Sequence, residues 1–181
     1  MKRKTIITTL SVIGIIVLSI GANYFYVEGK MTKDYTAVNA TAVIVESGEI
    51  TIDASPEAVK KTLSDISKWT EWNTSVSDAK IDGDFTPGRK FSWNTESGKI
   101  ESQIKVVQKD TIVWAGKTSG IFAIHSWTFE DSDGKTRVTS KESWEGLTAV
   151  ILQPLLRGDL DSSLDVTLSD LKTAVERQSS N

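Results

Sequence analysis

The sequence predicts an α+β domain in which one antiparallel sheet is covered by a single long C-terminal helix. Three observations favour this fold class. Between residues 43 and 144, apolar and polar residues alternate over a series of short segments, as they do in half-buried strands. After the first of these segments, residues 55–57 carry a helix start signal. From Leu160 onward the apolar period becomes that of a helix. Strands gathered in one part of the chain, with helices outside them, are typical of this class.

The first strand is predicted at Val43–Ala54, and two short helices follow it. The alternation slips near Ser47-Gly48, which predicts a β-bulge there. The Ser-Pro-Glu sequence at residues 55–57 supplies an N-cap, a proline at the first helical position and an acid in the first turn. The apolar residues of the two short helices are Val59, Leu63, Ile66, Trp69 and Trp72.

Six further strands are predicted after the two helices. They are Val76–Ile81, Lys90–Thr95, Ile100–Val107, Thr111–Lys117, Ile121–Phe129 and Thr136–Trp144. Because short turns join successive strands, we expect them to be antiparallel neighbours. The sheet should therefore have seven strands.

The last two strands form a hairpin, since Asp133-Gly134 between two alternating runs is typical of a hairpin turn. A loop over residues 131–134 would place His125, the only histidine, opposite Ser140. Glu142 would then lie diagonally from His125 on the same face. The hairpin thus predicts a cluster of His, Ser and Glu on a surface that is otherwise mainly aromatic and aliphatic.

The C-terminal segment predicts one long helix that covers the sheet. Pro154 either kinks this helix or separates a short helical piece from a long one. The apolar stripe consists of Leu160, Leu164, Leu168, Leu171 and Val175.

The N-terminal segment predicts the cellular location of the protein. Three basic residues, Lys2 to Lys4, precede an apolar stretch without charge, Thr5–Val27. As a helix this stretch would be roughly 34 Å long, enough for a hydrocarbon core of about 30 Å. We therefore expect a membrane anchor at residues 1–27, in a single-pass cell-membrane protein whose domain lies outside the cytoplasm. The alternative is a cleaved signal peptide and a secreted or periplasmic protein. Residues 28–42 are polar and predict a tether, followed by the domain at residues 43–178.

Composition excludes several classes of function. The formal net charge of −3 argues against binding to nucleic acid, which requires a basic surface. With one histidine and no cysteine, a zinc site and thiolate catalysis are not expected. The Asp-Gly segments near residues 83 and 134 do not continue into a calcium-binding loop, and turn chemistry explains them. We expect no cofactor, no metal and a monomer.

Several motifs resemble one known superfamily. They are the strand-to-helix junction Ile52–Val59, the W-x-x-W-N turn at Trp69–Asn73, and the hairpin motifs Ala123-x-His125-x-Trp127-x-Phe129 and Glu142-Ser143-Trp144-x-Gly146. In these motifs the chain resembles a bacterial, cyclase-like branch of the START/polyketide-cyclase (SRPBCC) superfamily, from about residue 48 to 176. The resemblance implies the helix-grip fold, a curved seven-stranded antiparallel sheet around the C-terminal helix with an apolar cavity between them. Members include lipid carriers, hormone and pigment binders and aromatic polyketide cyclases. They share no single catalytic set, so the resemblance assigns no catalytic residue.

Three functions remain open at this point. The favoured one is binding of a small hydrophobic or aromatic ligand, lipid or polyketide-like, in the cavity, because binding needs few titratable groups. The second is a cyclase, dehydratase or isomerase in which His125 abstracts a proton beside a ligand carbonyl and Glu142 orients it. The third is a module that binds a partner protein. The predicted catalytic residues are His125 and Glu142, and the predicted ligand-binding residues are Trp69, Trp72, Trp93, Trp127, Phe129, Ser140, Leu164 and Leu168.

Overall fold

The computed structural model describes the backbone of residues 2–179 and the side chains of residues 13–178. The helices are α1 (Lys2–Met31), α2 (Pro56–Ser64), a 3₁₀ turn (Ile66–Lys68), α3 (Trp69–Trp72), α4 (Leu147–Ile151) and α5 (Gln153–Ser179). The strands are β1 (Ile44–Ile52), β2 (Asp78–Ile81), β3 (Lys90–Thr95), β4 (Gly98–Val107), β5 (Thr111–Thr118), β6 (Ile121–Ser132) and β7 (Lys135–Glu145). The predicted order of elements is confirmed.

The strands form one curved antiparallel sheet of seven strands in the order β1-β7-β6-β5-β4-β3-β2. The bulge predicted near Ser47-Gly48 is wrong, because β1 pairs with β7 continuously from Ile44 to Ile52. Gly48 serves packing instead, since a Cβ there would lie 2.7 Å from Cδ1 of Leu168 on α5. The register shift lies in β4, between Ile104 and Val106.

The β6–β7 hairpin has a tighter turn than the sequence predicts. Ser132 pairs with Lys135, so Asp133 and Gly134 alone form the loop. Both have positive φ, 55° and 80°, the backbone that a two-residue type I′ turn requires. The predicted register is therefore wrong by two residues, and His125 lies directly opposite Glu142. A shift of two keeps every side chain on its predicted face.

The concave face of the sheet packs on α5, and α2 and α3 complete this core. The N-cap of α2 is Ser55, whose hydroxyl accepts from the amide of Ala58. Pro154 lies in the first turn of α5 and separates it from the short α4, which was one of the two predicted roles for this proline. The predicted stripe of α5 is fully buried, at Leu160, Leu164, Leu168, Leu171 and Val175.

Helix α1 packs on the opposite, convex face of the sheet. Val27 is buried there in a cluster with Val113, Ala115, Phe122 and Ile124. The contact is reinforced by polar groups, in which Tyr26 and Lys30 both hydrogen-bond Glu145 at 2.7 and 2.9 Å. The last turns of α1 are thus part of the folded unit.

None of the helices within the described residues is both long enough and apolar enough to cross a membrane. The predicted single-pass localisation in the cell membrane is therefore wrong, and neither the membrane partner nor the signal peptide is supported. The physical reason is that the final turns of the presumed span, from Asn23 to Val27, are bound to the sheet. The side chains of Lys2, Arg3 and Lys4, on which the orientation depended, lie outside the described residues.

Two glycine substitutions test the backbone of this fold with opposite expected signs. Gly134→Ala should destabilise the protein by about 1 kcal/mol, because alanine resists positive φ. Gly158→Ala, inside α5, should stabilise it by roughly 0.5–1 kcal/mol. A Cβ at either position would have no atom within 4 Å, so packing does not obscure the comparison. Urea unfolding measures both, and a Gly134→Ala variant as stable as the parent would contradict the two-residue turn.

Candidate functional site

The predicted hairpin cluster lines a small cavity on the concave face of the sheet. The cavity measures about 40 Å³ and is largely enclosed by side chains of β3 to β7. Its walls are apolar and aromatic except for a few polar groups. The lining residues are Trp93, Ile100, Ser102, Trp114, Gly116, Lys117, Thr118, Ile121, Ala123, His125, Glu142 and Trp144.

A chain of hydrogen bonds joins three polar side chains in this wall. Nε2 of His125 lies 2.7 Å from Oγ of Ser140, and Nδ1 lies 3.2 Å from Oε2 of Glu142. The other carboxyl oxygen of Glu142 accepts a 2.7 Å hydrogen bond from Nε1 of Trp144. Both ring nitrogens of His125 are therefore engaged.

Aromatic rings enclose His125 on two sides. Its imidazole stacks on Trp127 with a centroid distance of 4.9 Å and an interplanar angle of 23°. Trp114 contacts it at 4.7 Å, tilted by 53°. These rings exclude water from the imidazole, which is 7% exposed.

Burial drives both ionisable groups of the pair toward their neutral forms. Desolvation lowers the pKa of His125 from 6.5 to about 3. Desolvation also raises the pKa of Glu142 from 4.5 to about 7, and the hydrogen bond from Trp144 only partly opposes this. The site therefore holds a neutral imidazole beside a carboxyl group that titrates near neutral pH.

The hydrogen-bond chain accommodates either state of Glu142. When the carboxyl is protonated, it donates to Nδ1 of His125, and Nε2–H then donates to Ser140. When the carboxyl is ionised, Nδ1–H donates to it, and the Ser140 hydroxyl donates to Nε2. A proton lost from Glu142 thus changes the imidazole tautomer without breaking a hydrogen bond.

Most of the chain, including the strands that form this site, matches a known family. The family model described as polyketide cyclase / dehydrase and lipid transport matches residues 44–176. The chain belongs to this family. The resemblance to the START/SRPBCC superfamily is thereby confirmed. No curated protein matches the sequence.

Solved structures share the fold of this family member at low sequence identity. A hypothetical protein from Helicobacter pylori has a TM-score of 0.67 at 16% identity, covering 80% of this chain and 99% of that chain. A START superfamily protein from Mycobacterium smegmatis has a TM-score of 0.63 at 14% identity, covering 74% and 98%. The Zhui aromatase/cyclase from a Streptomyces species has a TM-score of 0.65 at 11% identity, covering 74% and 94%. At these identities the likeness concerns the fold alone.

The predicted site residues of this family member divide into two groups. Five are at the cavity or in contact with its polar chain: Trp93, Trp127, His125, Ser140 and Glu142. The others lie apart from it. Trp69 and Phe129 are buried in the main core, and Nε1 of Trp69 donates to the carbonyl of Leu63. Trp72 borders a surface groove beside α5, and Leu164 and Leu168 are core residues of α5.

Three further residues of the site were missed by the sequence analysis. Trp114 is in phase with Ile112 on β5, and Trp144 is in phase with Glu142 on β7, so alternation placed both on the concave face. Ser102 accepts a 3.3 Å hydrogen bond from Nε1 of Trp93. Their proximity to His125 depends on strand register, which the sequence left undetermined. Among the described residues, no group of three or more metal-ligating acidic, His or Cys side chains forms a metal site.

The neutral pair predicts a measurable pH dependence of stability. The raised pKa of Glu142 contributes stability at low pH that is lost as the pH rises from 4.5 to about 7. The lowered pKa of His125 has the opposite sign, with stability lost as the pH falls from 6.5 to about 3. Between pH 4.5 and 6.5 the two contributions oppose each other. Substitution of either residue should therefore reveal the pH dependence of stability that the other contributes.

We expect Glu142→Gln to gain stability relative to the parent as the pH rises from 4.5 to about 7. The difference in unfolding free energy should change by about 1.4 kcal/mol per pH unit in that window. Urea unfolding at a series of pH values measures it, and His125→Asn serves as the matched variant of opposite sign. A difference between Glu142→Gln and parent that is constant from pH 4.5 to 8 would mean that Glu142 is already ionised in the folded protein.

Proposed function

We propose that this protein binds a small hydrophobic or aromatic ligand, lipid or polyketide-like, in the cavity lined by strands β3 to β7 on the concave face of the sheet. The observation that carries the proposal is the polar chain of Ser140, His125 and Glu142 within an aromatic wall. Ligand pockets usually combine an apolar lining with a few convergent polar groups. The family description, which includes lipid transport and polyketide cyclases, supports the same class of ligand.

The wall offers specific groups to such a ligand. The indoles of Trp93, Trp114 and Trp144 present faces and edges for a flat ring. The carboxyl of Glu142, which lines the cavity, favours a ligand that carries a carbonyl or hydroxyl oxygen.

The ligand must enlarge the cavity in order to bind. The present volume of about 40 Å³ is well below the ~300 Å³ of a typical small-molecule pocket. Two tryptophans of the wall, Trp93 and Trp144, are only partly buried, and each has one hydrogen bond through its indole nitrogen. Their rotation would create space. A filled interior by itself would also suit a partner-binding module, but such a module needs no buried acid–imidazole chain.

The electrostatics favour one alternative, an enzyme of the cyclase or dehydratase type. A carboxyl group with a pKa of about 7 is half ionised at neutral pH, as a general acid or base requires. Both residues line the cavity, but the pKa of Glu142 is raised to about 7, whereas the pKa of His125 is lowered to about 3, far from neutral pH. In this alternative Glu142 transfers the proton and His125 positions it, the reverse of the roles suggested by the sequence.

Binding of the apolar dye anilinonaphthalene sulfonate tests the proposed cavity. Ala123→Leu fills space beside His125 and should weaken dye binding by about tenfold or more, since it removes the volume the dye would occupy. Val150→Ser, on the exposed apolar surface of α4, should leave the affinity unchanged. Titration by fluorescence measures both affinities. Loss of binding in Val150→Ser but not in Ala123→Leu would place the dye on the surface and refute the proposal.

Proton exchange in a simple ketone tests the enzymatic alternative. If Glu142 is the base, deuterium from solvent should enter the methyl group of acetophenone at a rate that rises with pH around a midpoint near 7. Glu142→Gln should return the rate to the buffer background, while the exposed Glu49→Gln should retain it. NMR follows the exchange. A Glu142→Gln variant with the parent's rate would exclude this role.

A further inference from the structure

Helix α1 lies outside the segment that matches the family, residues 44–176. One of its side chains nevertheless contacts the backbone beside one end of the cavity. Nδ2 of Asn23 donates a 2.9 Å hydrogen bond to the carbonyl of Gly120, in the β5–β6 turn. Its Oδ1 accepts a 2.8 Å hydrogen bond from the amide of Leu147, the first residue of α4. A single asparagine therefore joins a strand turn to the start of a helix.

The two joined segments also touch each other. A Cβ on Gly146 would clash with the carbonyl oxygen of Gly120, so this approach requires glycine. Oγ1 of Thr148 donates a 2.8 Å hydrogen bond to the carbonyl of Ser119. Both glycines have positive φ, 79° at Gly120 and 112° at Gly146. The junction thus consists of two closely packed glycines held by side-chain hydrogen bonds.

This junction adjoins one end of the cavity. Thr118 and Ile121, on either side of the β5–β6 turn, line the cavity, as does Trp144. Ala149 of α4 packs in one cluster with Ile121 and Trp144. Ala149 is the buried residue of α4, whereas Val150 and Ile151 are 56% and 65% exposed. Displacement of α4 and the turn would therefore release Ile121 and Trp144, which line this end of the cavity.

We propose that Asn23 is a latch, through which α1 holds the β5–β6 turn and α4 together and controls ligand access to the cavity. The inference rests on the proposed ligand binding. The rest of α1 stays on the sheet without Asn23, because Tyr26 and Lys30 bind Glu145, and Glu28 pairs with Lys117. Release of the latch therefore opens the junction without detaching the helix.

Hydrogen exchange in the full-length, ligand-free protein tests the latch. In Asn23→Ala, the amides of Val150 and Leu152 should exchange about tenfold faster than in the parent, since the loss of two hydrogen bonds favours the open junction. These amides donate to the carbonyls of Gly146 and Thr148 within α4 and do not touch Asn23, so they report unwinding of α4 once the junction opens. Asn23→Asp retains the acceptor for Leu147 but loses the donor to Gly120, and its exchange rates should be intermediate.

Tyr26→Phe is the matched control on the next turn of α1. It removes a hydrogen bond between α1 and the sheet but leaves Asn23 intact, so exchange at Val150 and Leu152 should remain at the parent's rate. Unchanged exchange in Asn23→Ala, or equal acceleration in both variants, would overturn the latch.

The association rate of anilinonaphthalene sulfonate links the latch to ligand access. Asn23→Ala should bind the dye faster than the parent, and a rate equal to the parent's despite faster exchange would overturn the control of access. If Asn23→Ala opens the junction but neither protein binds dye in the cavity, the proposed ligand binding fails while the latch stands. Failure of the latch and failure of the proposed ligand binding therefore give different results in the exchange and binding measurements.

Discussion

The burial of His125 and Glu142 in an aromatic wall is the constraint on which the site depends. An ionised group there would lose its hydration, so His125 is held neutral and the pKa of Glu142 is raised to about 7. Neutrality alone is insufficient, because a buried donor or acceptor without a partner costs about 1–3 kcal/mol. Ser140 and Trp144 supply the missing partners. The chain from Ser140 to Trp144 is stable only as a set, and all of its members except His125 lie on alternate positions of β7.

The two-residue turn at Asp133-Gly134 determines this arrangement. It pairs His125 with Glu142, whereas the four-residue loop expected from the sequence would have moved the partners by two positions. Alternation was sufficient to predict which side chains share the concave face, because a shift of two preserves the face. It could not predict which of them are in contact. The hydrogen bond to Ser140 is diagonal across the strands, the reverse of the expected arrangement.

The fold was predictable because it rests on periodicity, and the exceptions have physical causes. The stripe of α5 and the order of strands follow from apolar spacing. The roles of the tryptophans do not, since Trp69 serves only as core, whereas Trp114 is both core and cavity wall. The membrane span predicted from the apolar N-terminal stretch was wrong for a related reason. Hydropathy describes composition, while the position of α1 is decided by contacts of Asn23, Tyr26 and Val27 with strands far away in the sequence.

The small volume of the cavity explains why access to it should be controlled by a movable wall. An empty apolar cavity costs about 24 cal/mol per Å³, so a void of ~300 Å³ would cost roughly 7 kcal/mol. That is comparable with the whole stability of a typical domain, about 5–15 kcal/mol. A ligand-free protein of this kind is therefore more stable with its tryptophans folded inward. Binding then needs displacement of a wall whose opening costs less than a permanent void. The junction at Gly120 and Gly146 suits that role, since Ala149 is the buried residue of α4 and the side chain of Asn23 joins the β5–β6 turn to α4.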